Sequence, residues 1–226
     1  MAIDESLLKN FNEGDLPILR LYRWDENSAT IGISQDVKQY SHIVKNNNIA
    51  KRITGGGVLF HGHDISYSLV IPSSYLENLS IKKSYEYICG FILEFYKTLG
   101  LRVSFAKDNK NIELSKNEYC QVGFEAYDIL LNGKKIGGNA QRRTKKAVFQ
   151  HGSIPIFKSE VKGETKGISL EDLDIKISYE ELIKKLSESF ESCFKVQLKS
   201  SNLFENELEL TKSLLRQKYD YSRKKT

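Results

Sequence analysis

The sequence predicts an α+β fold, a mixed and largely antiparallel sheet flanked by helices. Three observations lead there. Asn132-Gly133 stands between residues 127–131 and 134–136, which is the strongest short signal for a two-residue hairpin in the chain. Residues 81–99 place Tyr85, Ile88, Cys89, Ile92, Phe95, Tyr96 and Leu99 on one helical face. Two further amphipathic helices, residues 179–194 and 203–219, close the chain instead of alternating with strands. That grouping excludes a doubly wound parallel sheet.

Near the start, Ile3, Leu7, Leu8 and Phe11 recur at helical spacing, and Glu13-Gly14 ends that helix. Residues 17–24 and 29–33 read as strands, with Glu26-Asn27-Ser28 as the turn between them. Residues 36–47 form a polar helix. A short strand over residues 50–53 runs into Gly55-Gly56-Gly57, and residues 65–71 are rich in types that suit a pleated strand. Gly100 suits the left-handed position that closes the 81–99 helix. Residues 101–106 follow as a strand, then a hydrophilic stretch to about residue 120. After the hairpin, residues 147–157 form a further strand.

The chain has 226 residues, 40% of them hydrophobic and 28% charged, an ordinary globular balance that excludes a disordered polymer. With three prolines and no Gly/Ser-rich linker, it shows no domain boundary before about residue 175, so residues 1–226 read as one domain. No stretch approaches the ~20 apolar residues of a membrane span. Met1-Ala2-Ile3-Asp4-Glu5 lacks the basic and apolar regions of a secretory leader. Cys89, Cys120 and Cys193 are too few for a disulfide framework, so a reduced, cytoplasmic protein is expected. The net charge of +5 favours acidic partners. The basic runs lack interleaved aromatics, so nucleic acid is not the expected partner.

Four segments could carry chemistry. Lys51-Arg52-Ile53-Thr54-Gly55-Gly56-Gly57 leads into Val58-Leu59-Phe60-His61-Gly62-His63-Asp64. Three consecutive glycines cost chain entropy, and the usual reason is close approach of backbone N–H groups to an anionic or extended ligand. The spacing fits neither a P-loop nor a dinucleotide fingerprint. With Arg52 and His61 beside it, the segment reads as a ligand loop rather than a flexible hairpin. His61 and His63 alternate along a strand, but no second ligand cluster stands out and no metal site is expected.

Gly137 and Gly138 lie inside the strand after the hairpin, where glycine marks a bulge or close packing against a ligand. Lys135 beside them is either ordinary edge protection or a group that holds a carbonyl or phosphate oxygen, and spacing alone leaves these even. Cys120 sits in a lysine-rich polar segment, where cations lower a thiol pKa and favour a nucleophile. An incidental loop cysteine is the alternative. Cys89 and Cys193 read as small buried hydrophobes. His151, in Phe149-Gln150-His151-Gly152-Ser153, either orients a substrate or is a satisfied core histidine.

These segments, in this order, resemble the lipoate–protein ligase A and LipM-type octanoyltransferase family, whose catalytic domain is related to biotin protein ligase. The matching stretches begin with Met1-Ala2-Ile3-Asp4-Glu5 and with Pro17-Ile18-Leu19-Arg20-Leu21-Tyr22-Arg23-Trp24. Thr30-Ile31-Gly32 with Gln35, the basic-x-Thr-Gly-Gly segment with His61, and Ser66-Tyr67-Ser68 come next. Tyr127-Asp128-Ile129, Gly133-Lys134-Lys135-Ile136, Gly138-Asn139-Ala140-Gln141 with Arg143, and Gln150-His151-Gly152-Ser153-Ile154 complete the set. The resemblance covers almost the whole chain, as a single catalytic domain without the strand that usually precedes the first helix and without an accessory C-terminal domain.

The resemblance implies transfer of an octanoyl or lipoyl group to one lysine of a lipoyl carrier domain. Such acceptors include glycine cleavage H protein and the acyltransferase subunits of 2-oxoacid dehydrogenases. It implies a monomeric enzyme with octanoyl-acyl carrier protein as donor, no membrane partner, no metal and no cofactor. Cys120, seven residues before Tyr127, stands where LipM-type enzymes place a nucleophile that carries the acyl group as a thioester. The expected site is Cys120 and Lys135 as catalytic residues, with substrate bound by Arg52, Gly55, Gly56, Gly57, His61, Gly137, Gly138, Asn139, Ala140 and His151. Seven apolar carbons of an octanoyl chain, buried at about 0.8 kcal/mol each, would contribute roughly 5–6 kcal/mol before ordering costs. Two alternatives remain within the resemblance. One is an ATP- and Mg²⁺-dependent lipoate ligase with a separate accessory polypeptide, where Lys135 meets the adenylate phosphate and Cys120 is dispensable. The other is a non-catalytic member that binds lipoyl domains.

Overall fold

The computed structural model describes residues 1–40, 48–115, 119, 123–159 and 167–219. In chain order the elements are α1 (Ala2–Asn10), β1 (Ile18–Tyr22), β2 (Ala29–Ile31), α2 (Val37–Tyr40), β3 (Ile49–Lys51), β4 (Leu59–Phe60) and β5 (Asp64–Pro72). Then follow α3 (Ile81–Thr98), β6 (Ser104–Phe105), β7 (Ile129–Leu131), β8 (Lys134–Arg143), β9 (Ala147–Pro155), α4 (Tyr179–Phe194) and α5 (Glu205–Leu214).

β5 is buried along its whole length because both faces of the sheet are covered. Ile65, Tyr67, Leu69 and Ile71 pack with Phe91 and Phe95 of α3 and with Leu182, Leu186 and Phe190 of α4. The alternate residue Val70 packs with Leu7 and Leu8 of α1 and with Phe11 just past its end, and Ser68 donates to Asp4 of the same helix. The period of two along a strand separates these two layers. The main sheet has the order β1-β5-β9-β8-β7-β6, and every neighbouring pair is antiparallel. A smaller sheet sets β2 between β3, parallel to it, and β4, antiparallel to it. The α+β class with a mixed, largely antiparallel strand set is therefore as the sequence predicts.

Local signals account for the best-defined ends. Asn132 and Gly133 both have positive φ, 50° and 78°, the mirror-image turn that matches the twist of a hairpin. Gly100 has φ 78°, its N–H reaches Lys97 O, and the Leu101 N–H reaches Tyr96 O, so the left-handed closure of α3 forms at the expected residue. Ser80 caps the other end, its hydroxyl accepting from the Lys83 N–H.

Other expectations shift. The strand expected over residues 101–106 narrows to Ser104–Phe105, because β6 pairs only with the end of β7 and Ala106 turns into a 3₁₀ segment. The last helix is α-helical to Leu214 and then widens into a π turn over Leu215–Tyr219. Of the polar helix expected over 36–47, Val37–Tyr40 is helical and residues 41–47 lie outside the described residues. Cys193 is exposed rather than buried, since the inward stripe of α4 runs through Leu182, Leu186, Ser189 and Phe190. Among the described residues, no helix is long and apolar enough to cross a membrane.

Candidate functional site

Both glycine segments open onto one cavity of about 420 Å³. Arg52, Gly55, Gly56, Gly57, His61, Lys135, Gly137, Gly138, Asn139, Ala140 and His151 all line it. Cys120 lies outside the described residues; its described neighbours Tyr119 and Gly123 line the same cavity.

Lys135 is aimed by a break in the sheet. Leu130 pairs with Lys135 and Ile129 with Gly137, so one step along β7 spans two along β8 and Ile136 is skipped. Such a bulge re-aims side chains. Ile136 enters the core, fully buried, while Lys135 reaches the cavity. The Lys135 ammonium donates to Asp128 Oδ2 at 2.6 Å, and the Glu125 N–H donates to the same oxygen at 2.7 Å. Burial pushes the Asp128 carboxyl above its ordinary range, and Lys135 offsets this only in part. A Cβ on residue 138 would stand 3.2 Å from Lys135 Cε and 3.3 Å from Asp128 Oδ1. Glycine at this position leaves room for the pair.

The triple-glycine loop is held by its own arginine. Arg52 is 6% exposed. Its Nη1 donates to Thr30 O at 3.0 Å and Thr30 Oγ1 at 2.8 Å; its Nη2 donates to Gly57 O at 2.7 Å and Gly55 O at 3.3 Å. Arg52 therefore lines the cavity while it fixes the loop backbone. Gly56 adopts φ 102°, and its carbonyl sits where a Cβ on residue 32 would be, 1.9 Å away. Arg142 Nη1 donates to Ile53 O at 3.0 Å, tying the loop to β8.

His61 stacks on Trp24 with ring centroids 4.8 Å apart. Its Nδ1 faces Asp64 Oδ2 at 2.9 Å and its Nε2 faces Thr30 Oγ1 at 2.9 Å. Both nitrogens are engaged within the protein, which fits an orienting role better than metal ligation. Among the described residues, no group of three or more His, Cys, Asp or Glu could hold a metal ion. Burial alone would raise the Asp64 carboxyl, but His61 and the Ser153 hydroxyl hold it below its usual range. His151 is buried against Thr54, with Nε2 2.6 Å from Thr54 Oγ1. Burial first, and then Arg52, pull its pKa down to about 3, so the imidazole is neutral at neutral pH. Behind the cavity, Gln141 donates to Gln150, Gln150 to the Tyr67 hydroxyl, and Tyr67 to Asn139 Oδ1 at 2.5 Å. Asn139 Nδ2 in turn donates to Tyr127 O at 3.2 Å.

A family model of the lipoyl protein ligase A/B catalytic domain matches residues 1–162. The chain belongs to this family. Octanoyltransferase LipM of Macrococcus caseolyticus is 30% identical over 97% of this chain and 90% of its own length. Octanoyltransferase LipM of Bacillus subtilis is 28% identical over the same shares. Among solved structures, protein Ta0514 of T. acidophilum superposes with a TM-score of 0.80 at 25% identity, covering 97% of this chain and 89% of that one. The same protein has been solved with bound lipoic acid, at a TM-score of 0.78.

Several residues that shape this ligase-family cavity carried no role in the sequence reading. Asp128 is a carboxylate immediately before the apolar strand β7, which is a usable sign, but its distance from Lys135 follows from the bulge. Asp64, three residues after His61, is close in sequence and became meaningful only once both were buried. Thr30 joins His61 to Arg52, a contact across strands that no local pattern announces. Cys89 behaves as read, since burial pushes its thiol up to about 12.

Proposed function

We propose that this chain transfers an octanoyl group from octanoyl-acyl carrier protein to a lysine of a lipoyl carrier domain, through a thioester on Cys120. The observation that carries the reading is the single cavity in which both glycine segments meet the Lys135–Asp128 pair. Its relatives are named as octanoyltransferases over nearly the full chain, which supports the same acyl group here.

In the first step the Cys120 thiolate attacks the thioester carbonyl. A new S–C bond forms, the carrier's S–C bond breaks, and the departing thiolate takes the proton that Cys120 released. In the second step the neutral amine of the target lysine attacks the Cys120 thioester. An amide C–N bond forms, the S–C bond breaks, and the amine proton returns to Cys120. The Lys135 ammonium stabilises negative charge on the carbonyl oxygen in both steps. Asp128 holds that ammonium in place. Arg52 and Thr30 keep the glycine loop in the shape that receives the acyl chain. The donor is already an activated thioester, so the cycle consumes no nucleotide.

Intact-mass analysis tests this directly. The purified protein is incubated with octanoyl-acyl carrier protein without ATP, and a lipoyl-domain acceptor is then added. One octanoyl adduct on Cys120 that moves to the acceptor lysine is expected, and Cys120→Ala should show neither. Acceptor modification only with free octanoate, ATP and Mg²⁺ would replace the thioester route by an adenylate route. A Cys120→Ala variant at full rate would remove the covalent step.

A further inference from the structure

We propose that the buried hydroxyl of Tyr96 is a positioning group for Lys135, acting through the bulge in β8. This rests on the reading of Lys135 as part of the acyl-transfer site. Ile136 is the residue that β7 skips, and the pairing of β8 with β9 begins only at Gly138. The register thus gives Ile136 no opposite residue on either neighbouring strand. Its carbonyl is instead met from the helix layer, where Tyr96 Oη donates to Ile136 O at 2.5 Å.

Tyr96 is fully buried on α3 among Phe91, Phe95, Ile92 and Ile136, a setting that phenylalanine would fill equally well. The hydroxyl is the atom by which the two differ, and a buried hydroxyl persists where it meets a partner that would otherwise be orphaned. Burial also keeps the phenol protonated, pushing it well above its ordinary range, so it remains a donor at any working pH. The next residue back, Lys135, has its carbonyl fixed by the Ile168 N–H at 2.8 Å and its ammonium fixed by Asp128 at 2.6 Å. Tyr96, Ile168 and Asp128 together hold the backbone on both sides of the bulge and the side chain it projects. Without the phenol donor, the bulge relaxes toward regular pairing and the ammonium moves off the carbonyl oxygen it serves.

The test is Tyr96→Phe in the octanoyl-transfer assay, with rates referred to folded protein measured by circular dichroism in the same samples. The expected result is a kcat lowered roughly tenfold to a hundredfold, the range for a displaced catalytic group, with KM for the donor within about twofold. Ile88→Val, a core change on the same helix eight residues before Tyr96, should lower the melting temperature and leave kcat near wild type. Tyr96→Met removes the donor with a more adaptable side chain and carries the same expectation where Tyr96→Phe yields too little folded protein. Wild-type kcat in both Tyr96 variants would overturn the inference, and so would an equal loss of kcat in Ile88→Val. Lys135→Ala is measured alongside. Unchanged kcat there would overturn the underlying reading of the site, whereas a dead Lys135→Ala beside an unimpaired Tyr96→Phe would sink the role of Tyr96 alone.

Discussion

A methyl group on residue 152 would stand 2.5 Å from Asn139 Oδ1, 2.6 Å from Tyr67 Cε1 and 2.7 Å from Gly138 O. The last two belong to a buried ring and to backbone, and neither swings aside. Gly152→Ala must therefore part β9 from β8 and strain the Tyr67–Asn139 hydrogen bond. The expected cost is about 1–3 kcal/mol of stability, read from the urea midpoint, together with a fall in acyl transfer. Gly55→Ala supplies the contrast, because nothing lies within 4 Å of a Cβ there. Its urea midpoint should stay within about 0.5 kcal/mol of wild type. Equal midpoints for the two variants would remove the packing argument. The difference between these glycines was not legible in the sequence. Gly55 announces itself by standing in a run of three, but Gly152 matters because the register sets it opposite both Tyr67 and Asn139. Asp128 was hidden for the same reason.

The elements that were readable are those set by neighbours in the chain. The Asn132-Gly133 hairpin and the Gly100 closure of α3 depend on φ at one or two residues, and the sequence names residues that tolerate it. The strands of the small sheet are only two or three residues long, and their partners come from distant segments, so no periodicity could mark their ends. Phe91 escaped the amphipathic reading of α3 because that helix is covered by α4 as well as by the sheet, which widens its buried face. The joint between α1 and the end of α5 is also tertiary. Glu5 pairs with Lys9 at 2.9 Å and accepts from Lys218 and from the Tyr219 hydroxyl, both at 2.6 Å. Burial alone would raise the Glu5 carboxyl, but Lys218, Tyr219 and Lys9 together bring it from 4.5 down to about 2. A depressed carboxyl adds stability above its unfolded value and loses it as pH falls through the folded one. Glu5→Gln should cost about 1–2 kcal/mol at pH 7, a figure held down by the solvent exposure of both lysines. In urea titrations the gap should close between pH 4.5 and 2; a gap that persists at pH 2 would mean that charge is not what docks the helix.

For the molecule as a whole, the burial that builds the cavity also sets how stability responds to acid. The folded chain keeps His151 neutral down to about pH 3, whereas an unfolded histidine takes up its proton near 6.5. Between those values the unfolded state binds one more proton, so the contribution of His151 is full above 6.5 and falls as the pH drops. One proton corresponds to a slope of about 1.4 kcal/mol per pH unit. His63, lowered chiefly by burial with Asp64 pulling the other way, acts in the same sense near the top of that range. Asp4 and Asp64 are held below their usual value of 3.8, so their losses come at lower pH. Asp128, raised by burial, has the opposite sign and softens the fall. The Met1 amine, lowered from its ordinary 8.0 chiefly by burial, acts in the same sense as the histidines, so the share of His151 is read as a difference from a variant. His151→Gln keeps a hydrogen-bonding group for Thr54 and does not titrate. Urea unfolding at pH 7, 6 and 5 should show the wild type losing stability as the pH falls, and the variant losing less, by up to about 1.4 kcal/mol per unit below pH 6. Parallel lines for the two proteins would mean that His151 takes its proton in the folded state, and the buried, neutral imidazole beside Thr54 would have to be given up.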